Sequence, residues 1–187
     1  MNTRLTTIEP PYTNLSLCDF ATAFYAKAEI QSACLTLQDE YGVGVPLLLS
    51  CCWAGFRYGV LPASLLKELQ QCSEACSKQT IEPLREIRKT MKSGHDPKWP
   101  TTVNDWQNLR ESIKRIELAS EFLLLKGLEK LIIAGPVQLL TLQQQEKVRA
   151  SCMANTAVCF KVGDLHQDTA KASLNIMFDV IFSVKSQ

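Results

Sequence analysis

The chain has 187 residues, a length typical of one globular domain, with 46% hydrophobic and 21% charged residues. A formal net charge of +1 supplies no global field, so strong nucleic-acid or acidic-membrane binding is not expected. The segment 1–12 lacks the charged start and apolar run of a secretory signal. The most apolar stretch, 43–56, is interrupted by Pro46 and falls short of the roughly 20 residues needed to span a bilayer. These features predict a cytoplasmic protein without membrane insertion. Its eight cysteines then read as reduced thiols. Cys34, Cys51, Cys52, Cys72, Cys152 and Cys159 fall in helical stretches as small apolar fillers.

Period-3.6 patterns recur along the chain, and no run alternates like a strand. The first helix starts after Ser16, with Asp19 at capping-box spacing, and its apolar face is Leu17, Phe20, Ala21 and Phe24. A second helix covers 30–41 and is ended by Gly42. The third begins at Pro46, runs to about Tyr58 and is apolar nearly all round, which places it at the centre. Gly59 ends it, although Gly55-x-x-x-Gly59 also has the spacing of close helix packing.

A fourth helical region covers 62–91. Leu65, Leu69, Cys72 and Cys76 form one stripe, and Leu84, Ile87 and Met91 form a second. Pro83 should kink or break it between them. Residues 93–102 read as a loop. The fifth helix, 103–134, carries Trp106, Leu109, Ile113, Ile116, Ser120 and Leu123 at 3-4 spacing before Gly135-Pro136 stops it. Near 30 residues it reaches about 45 Å, so it pairs with the fourth region as an antiparallel hairpin or extends into a partner. Beyond Pro136 the pattern thins around Gln143–Gln145, and a final helix covers 167–184. There Phe178, Phe182 and Val184 look exposed and free to dock elsewhere.

The prediction is therefore an all-α helical bundle of six or seven helices with a long hairpin over 62–134. An N-terminal tail (1–15) precedes a core domain (16–135), and a C-terminal helical extension (136–187) packs on that core.

Two stretches resemble an uncharacterised family of small all-helical proteins from proteobacteria. One runs from Phe24-Tyr25 through Ala33-Cys34-Leu35-x-Leu37-Gln38-Asp39 to Leu47-Leu48-Leu49 and Trp53. The other is Pro83-Leu84-Arg85-x-x-Arg88-x-x-Met91-Lys92, followed by Leu109-Arg110 and the helix 113–131. The resemblance spans roughly residues 17–131. It implies a helical fold in a bacterial cytosol and no activity.

No pattern of residues demands a reaction, so no catalytic residue, cofactor or metal is expected. Cys72 and Cys76 could share a helix face, but His95 and His166 are distant and lack paired spacing, so a four-ligand zinc set does not assemble. His95 beside Asp96 reads as a solvated loop histidine. Gly42-Val43-Gly44 lacks the lysine of a phosphate loop. Segment 78–98 holds six basic and three acidic residues, too mild a balance for strong phosphate affinity.

Lys78, Glu82, Arg85, Lys89 and Lys92 form a charged stripe that reads as a solvated face with pairs such as Glu82–Lys89. Arg88, at the edge of the core stripe, should cross to Glu117 or Glu121 and fix the hairpin's register. Such a pair is either structural alone or lines a pocket for an anionic ligand, with Glu117 and Glu121 then among the binding residues. Two functions follow. One is a non-enzymatic interaction protein, a homodimer or an adaptor for a protein partner. The other is a binder of a small anionic molecule, or an enzyme of unrecognised type, with a pocket between helices near Trp53, Arg57, Arg85 and Arg88.

Overall fold

The computed structural model describes residues 14–94, 98–140 and 147–182. Eight α-helices and no strand occur among the described residues: α1 (Leu17–Tyr25), α2 (Ala28–Tyr41), α3 (Val45–Tyr58), α4 (Ala63–Cys76), α5 (Glu82–Thr90), α6 (Val103–Ala134), α7 (Val148–Thr156) and α8 (Asp168–Phe182). A π turn, Ser77–Ile81, joins α4 to α5. Counted with it as one kinked helix, the bundle has seven helices.

Helix boundaries follow local chemistry. The Ser16 hydroxyl accepts the Asp19 N–H and caps α1. Gly42 closes α2 at φ 67°, a left-handed conformation suited to glycine. A full capping box between Thr102 and Asp105 starts α6. Pro83 gives no N–H, and the chain widens by one residue immediately before it, so that the Glu82 N–H reaches the Ser77 carbonyl.

The centre is α3, buried from Pro46 through Phe56. Its one hydroxyl there, Ser50, donates to the Pro46 carbonyl at 2.7 Å and so carries no unmet polarity. On one side α7 packs along α3, and α8 packs along α2. The Gly55 backbone meets α7 closely. A Cβ there would lie 2.7 Å from the Cys152 Cα and 2.8 Å from its N. Buried Asn155 accepts the Leu61 N–H at 2.9 Å and donates to the Gly59 carbonyl at 2.9 Å, which ties α7 to the end of α3. On the other side α6 runs back along α5, the π turn and α4, and it also touches α1 and α3.

Several expectations change. Phe178 does not present a docking surface. It is fully buried, and α8 packs on α2 with that face. The side chain of Phe182, along with Val184, His95, Asp96 and the Gln143–Gln145 run, lies outside the described residues. Ile87 is 49% exposed because α5 turns Leu84, Arg85, Arg88 and Met91 inward instead. Leu109, Ile116 and Leu123 face solvent, while the buried residues of α6 are Glu117, Leu124, Leu125, Leu128 and Ile132. Cys34, Cys51, Cys52 and Cys152 are buried; Cys72, Cys76 and Cys159 are half-buried at the core's edge.

The close α3–α7 crossing yields a test. Gly55→Ala places a methyl against backbone, which cannot yield as a flexible side chain does, so the substitution should cost about 2 kcal/mol. Urea unfolding monitored by circular dichroism reads this; an unchanged midpoint would show that the helices are not in contact at that point.

Candidate functional site

Helices α5 and α6 each present two charged residues at helical spacing, so that both members of each pair share a face. Arg85 and Arg88 come from α5, Glu117 and Glu121 from α6. Arg88 holds Glu117 with both Nε, at 2.5 Å, and Nη2, at 3.2 Å. Arg85 donates from Nε to Glu117 at 3.0 Å and from Nη2 to Glu121 at 2.9 Å. Glu117 therefore accepts three charge-assisted bonds, the strongest class of protein hydrogen bond.

The arginine side chains keep 22% of their surface exposed and Glu117 only 8%. The expected crossing of Arg88 is present, and Arg85 does more than expected. It is not a solvated member of the outer stripe, for it bridges both carboxylates. The Glu82–Lys89 pair does not form; Lys89 lies 3.7 Å from Glu86 instead.

This cluster borders a groove. A charged cavity of about 490 Å³ is lined by Arg85, Arg88, Lys89, Lys114, Glu117 and Asp39. An apolar cavity of about 430 Å³ runs beside it between α1, the start of α3 and α6, walled by Ala21, Val45, Pro46, Leu49, Phe122 and Leu125. Tyr25, Gln31, Gln38, Leu118 and Glu121 line both cavities and form their shared rim. Volumes of this size match small-molecule sites, which run about 300–1,000 Å³.

The carboxylates differ in their environments. Burial alone would raise Glu117, but the bonds from Arg88 and Arg85 outweigh it and hold the carboxyl below its ordinary value. Burial dominates at Glu121 and raises it, with Arg85 offsetting only part of the effect. Tyr25 is likewise raised, mainly by burial and then by Cys34 and Glu121. The rim thus joins a carboxyl and a phenol that burial shifts upward together.

Trp53 and Arg57 belong elsewhere. The Trp53 indole donates to the Leu15 carbonyl at 2.9 Å, and Arg57 donates to the same oxygen at 3.2 Å. The Arg57 guanidinium lies 5.1 Å from the Trp53 ring centre, a cation–π contact. Neither residue lines either cavity. They fasten the chain as it enters α1, and the pocket expected near all four residues is not built from them.

Sequence reading did not find Tyr25, Gln31, Gln38 and Lys114. A signal existed for two of them: Tyr25 and Gln38 are among the residues that carry the first stretch of family resemblance. Among the described residues no group of three or more His, Cys, Asp or Glu side chains could hold a metal ion.

Fold and site together define an all-α bundle with a two-part groove, charged at one end and apolar at the other. The chain belongs to a family described as protein of unknown function (DUF2390), whose model matches residues 16–128. No curated protein and no solved structure matches it. Every residue lining the two cavities lies inside the matched segment, while α7 and α8 lie beyond it.

The opposed carboxylates give the clasp a pH dependence. Because Glu117 titrates lower in the fold, its stabilisation is complete above the ordinary glutamate pKa of about 4.3 and is lost as pH falls through the lower folded value. Glu117→Gln should lower stability at pH 7 by about 2 kcal/mol, since it weakens bonds to two partly buried guanidiniums. It should also flatten the acid side of the stability–pH curve. Thermal melts from pH 7 to pH 3 check both; parallel curves for wild type and variant would contradict the clasp.

Proposed function

We propose that this chain is a non-catalytic binding protein whose groove takes a small amphiphilic anion. The observation that carries this reading is the apolar cavity opening on the same rim as the arginine–glutamate cluster. An alkyl or similarly apolar portion would occupy the slot beside Leu49, Phe122 and Leu125, where burial contributes roughly 25 cal/mol per Å². The head would face Lys89, Lys114 and the guanidinium Nη1 atoms, which the carboxylates of Glu117 and Glu121 leave uncommitted.

Four cationic side chains face three carboxylates in the charged cavity. That balance favours an anion over a cation. The remaining Nη1 donors suit a carboxylate or phosphate oxygen, and guanidiniums already held by carboxylates lose little freedom on binding. The eight free thiols suit a reducing compartment, which supports a cytoplasmic setting. No helix among the described residues is long and apolar enough to cross a membrane.

A thermal-shift titration with decanoate, decanol and inorganic phosphate tests the reading. Decanoate should raise the melting temperature more than either control, because only it engages both ends of the groove. Reversing the two lysines (K89E with K114E) should weaken decanoate binding by roughly tenfold, about 1.4 kcal/mol. A shift shared equally by decanol, or one indifferent to the lysine reversals, would contradict an anion-specific head site.

A further inference from the structure

We propose that the outer face of α6 is an interface on which a second copy of this chain docks, helix against helix and antiparallel. This surface is separate from the groove, and its proposal does not rest on ligand binding.

The face is apolar where solvent would normally select charge. Leu109, Ile116 and Leu123 are 50%, 54% and 69% exposed. They stand seven residues apart, so they drift by only about 20° per step and form a nearly straight seam. The helix's other side is already occupied by α1, α3, α4 and α5, and among the described residues no element covers the seam, as the exposure of its three apolar residues shows. Three residues after each apolar position stand Ser112, Ala119 and Lys126, and Asp105 lies one heptad before Ser112. In the middle of the seam large apolar side chains therefore alternate with the small Ser112 and Ala119, the pattern that lets two helices interdigitate, while charged Asp105 and Lys126 stand towards its ends.

Antiparallel pairing about a two-fold axis gives one register in which every layer matches. Ile116 packs on Ala119 of the second copy, Leu123 packs on Ser112, and each contact recurs by symmetry. Leu109 lies along the aliphatic stem of Lys126. At either end Asp105 meets Lys130, an opposite charge.

The two exposed lysines, Lys126 and Lys130, decide the orientation. Parallel pairing would set Asp105, Lys126 and Lys130 against their own copies, three like-charge contacts at each of which association is penalised. The Ser112 hydroxyl raises no desolvation objection, for it donates to the Asn108 carbonyl at 2.9 Å and accepts from Arg115 at 3.0 Å within its own helix. The overlap from position 105 to position 130 is about 37 Å long.

Sedimentation velocity on the full chain, from micromolar to about 1 mM, reads the association. A monomer–dimer equilibrium is expected. The paired substitutions I116E and L123E should weaken it by more than roughly tenfold, with the circular dichroism spectrum unchanged, because both residues point outward. Register is read by mixing S112C with L123C chains under air oxidation and mapping the cross-linked peptides. The expected link joins position 112 of one chain to position 123 of the other. A monomer at every concentration, a dimer indifferent to I116E and L123E, or S112C linking to itself more readily than to L123C would each overturn the proposal.

Discussion

Glu117 is a carboxylate 6% exposed on the inner face of a 32-residue helix, and burying an unpaired charge there would cost several kcal/mol. Its pairing sets much of the architecture around it. Two guanidiniums must arrive from the neighbouring helix at the right height and on the right face. Along α4 the inward positions step by three or four, through Leu65, Leu69, Ser73 and Cys76. The next is Ile81, five residues on, at the end of the π turn. That extra residue rotates everything after it by about 100° relative to an uninterrupted helix. The rotation is what presents Leu84, Arg85, Arg88 and Met91 to α6. Pro83, which reads as a helix breaker, accompanies a widened turn that puts the arginines in register.

The groove is a by-product of the same arrangement. The arginine and glutamate side chains that join α5 to α6 also line its charged end. Towards the C-terminal half of α6 the contact becomes apolar at Leu124, Leu125, Leu128 and Ile132 and closes on the core. Between the closed half and the charged half, α1 and α2 form the opposite wall with Tyr25, Gln31 and Gln38. On the far side of α3, α7 approaches at Gly55 without room for a methyl group.

The elements legible in the sequence were those set by local chemistry. The nearly all-round apolar character of 45–58 marked the central helix, Gly42 its predecessor's end, and the Thr102 region the start of the longest helix. The Arg88 crossing was also legible, since the residue sits at the edge of an apolar stripe with carboxylates available on the next helix. The facing of α6 was not. Its most regular apolar series, Leu109–Ile116–Leu123, points outward, while its inner face in the first half is carried by Ile113, Glu117 and Glu121. Hydrophobic periodicity assigns charges to solvent, so it fails wherever charges are buried by pairing across a tertiary contact. Arg85 was placed on the solvated stripe for the same reason, although it also stood among the pocket candidates. Trp53 with Arg57 resembled a pocket because an aromatic and a cation also build ligand sites, and only the chain's path past Leu15 shows that they serve as a fastening.

The central claim is that opposed environments shift the titration of two carboxyls one helical turn apart in opposite directions. Carboxyl-carbon NMR titration of the folded chain, with Glu117→Gln and Glu121→Gln used for assignment, measures it directly. The account requires Glu117 to titrate below the ordinary glutamate value of about 4.3 and Glu121 above it. Two glutamates titrating together at the ordinary value would mean that neither is buried against α5, and the clasp and the groove beside it would both be wrong.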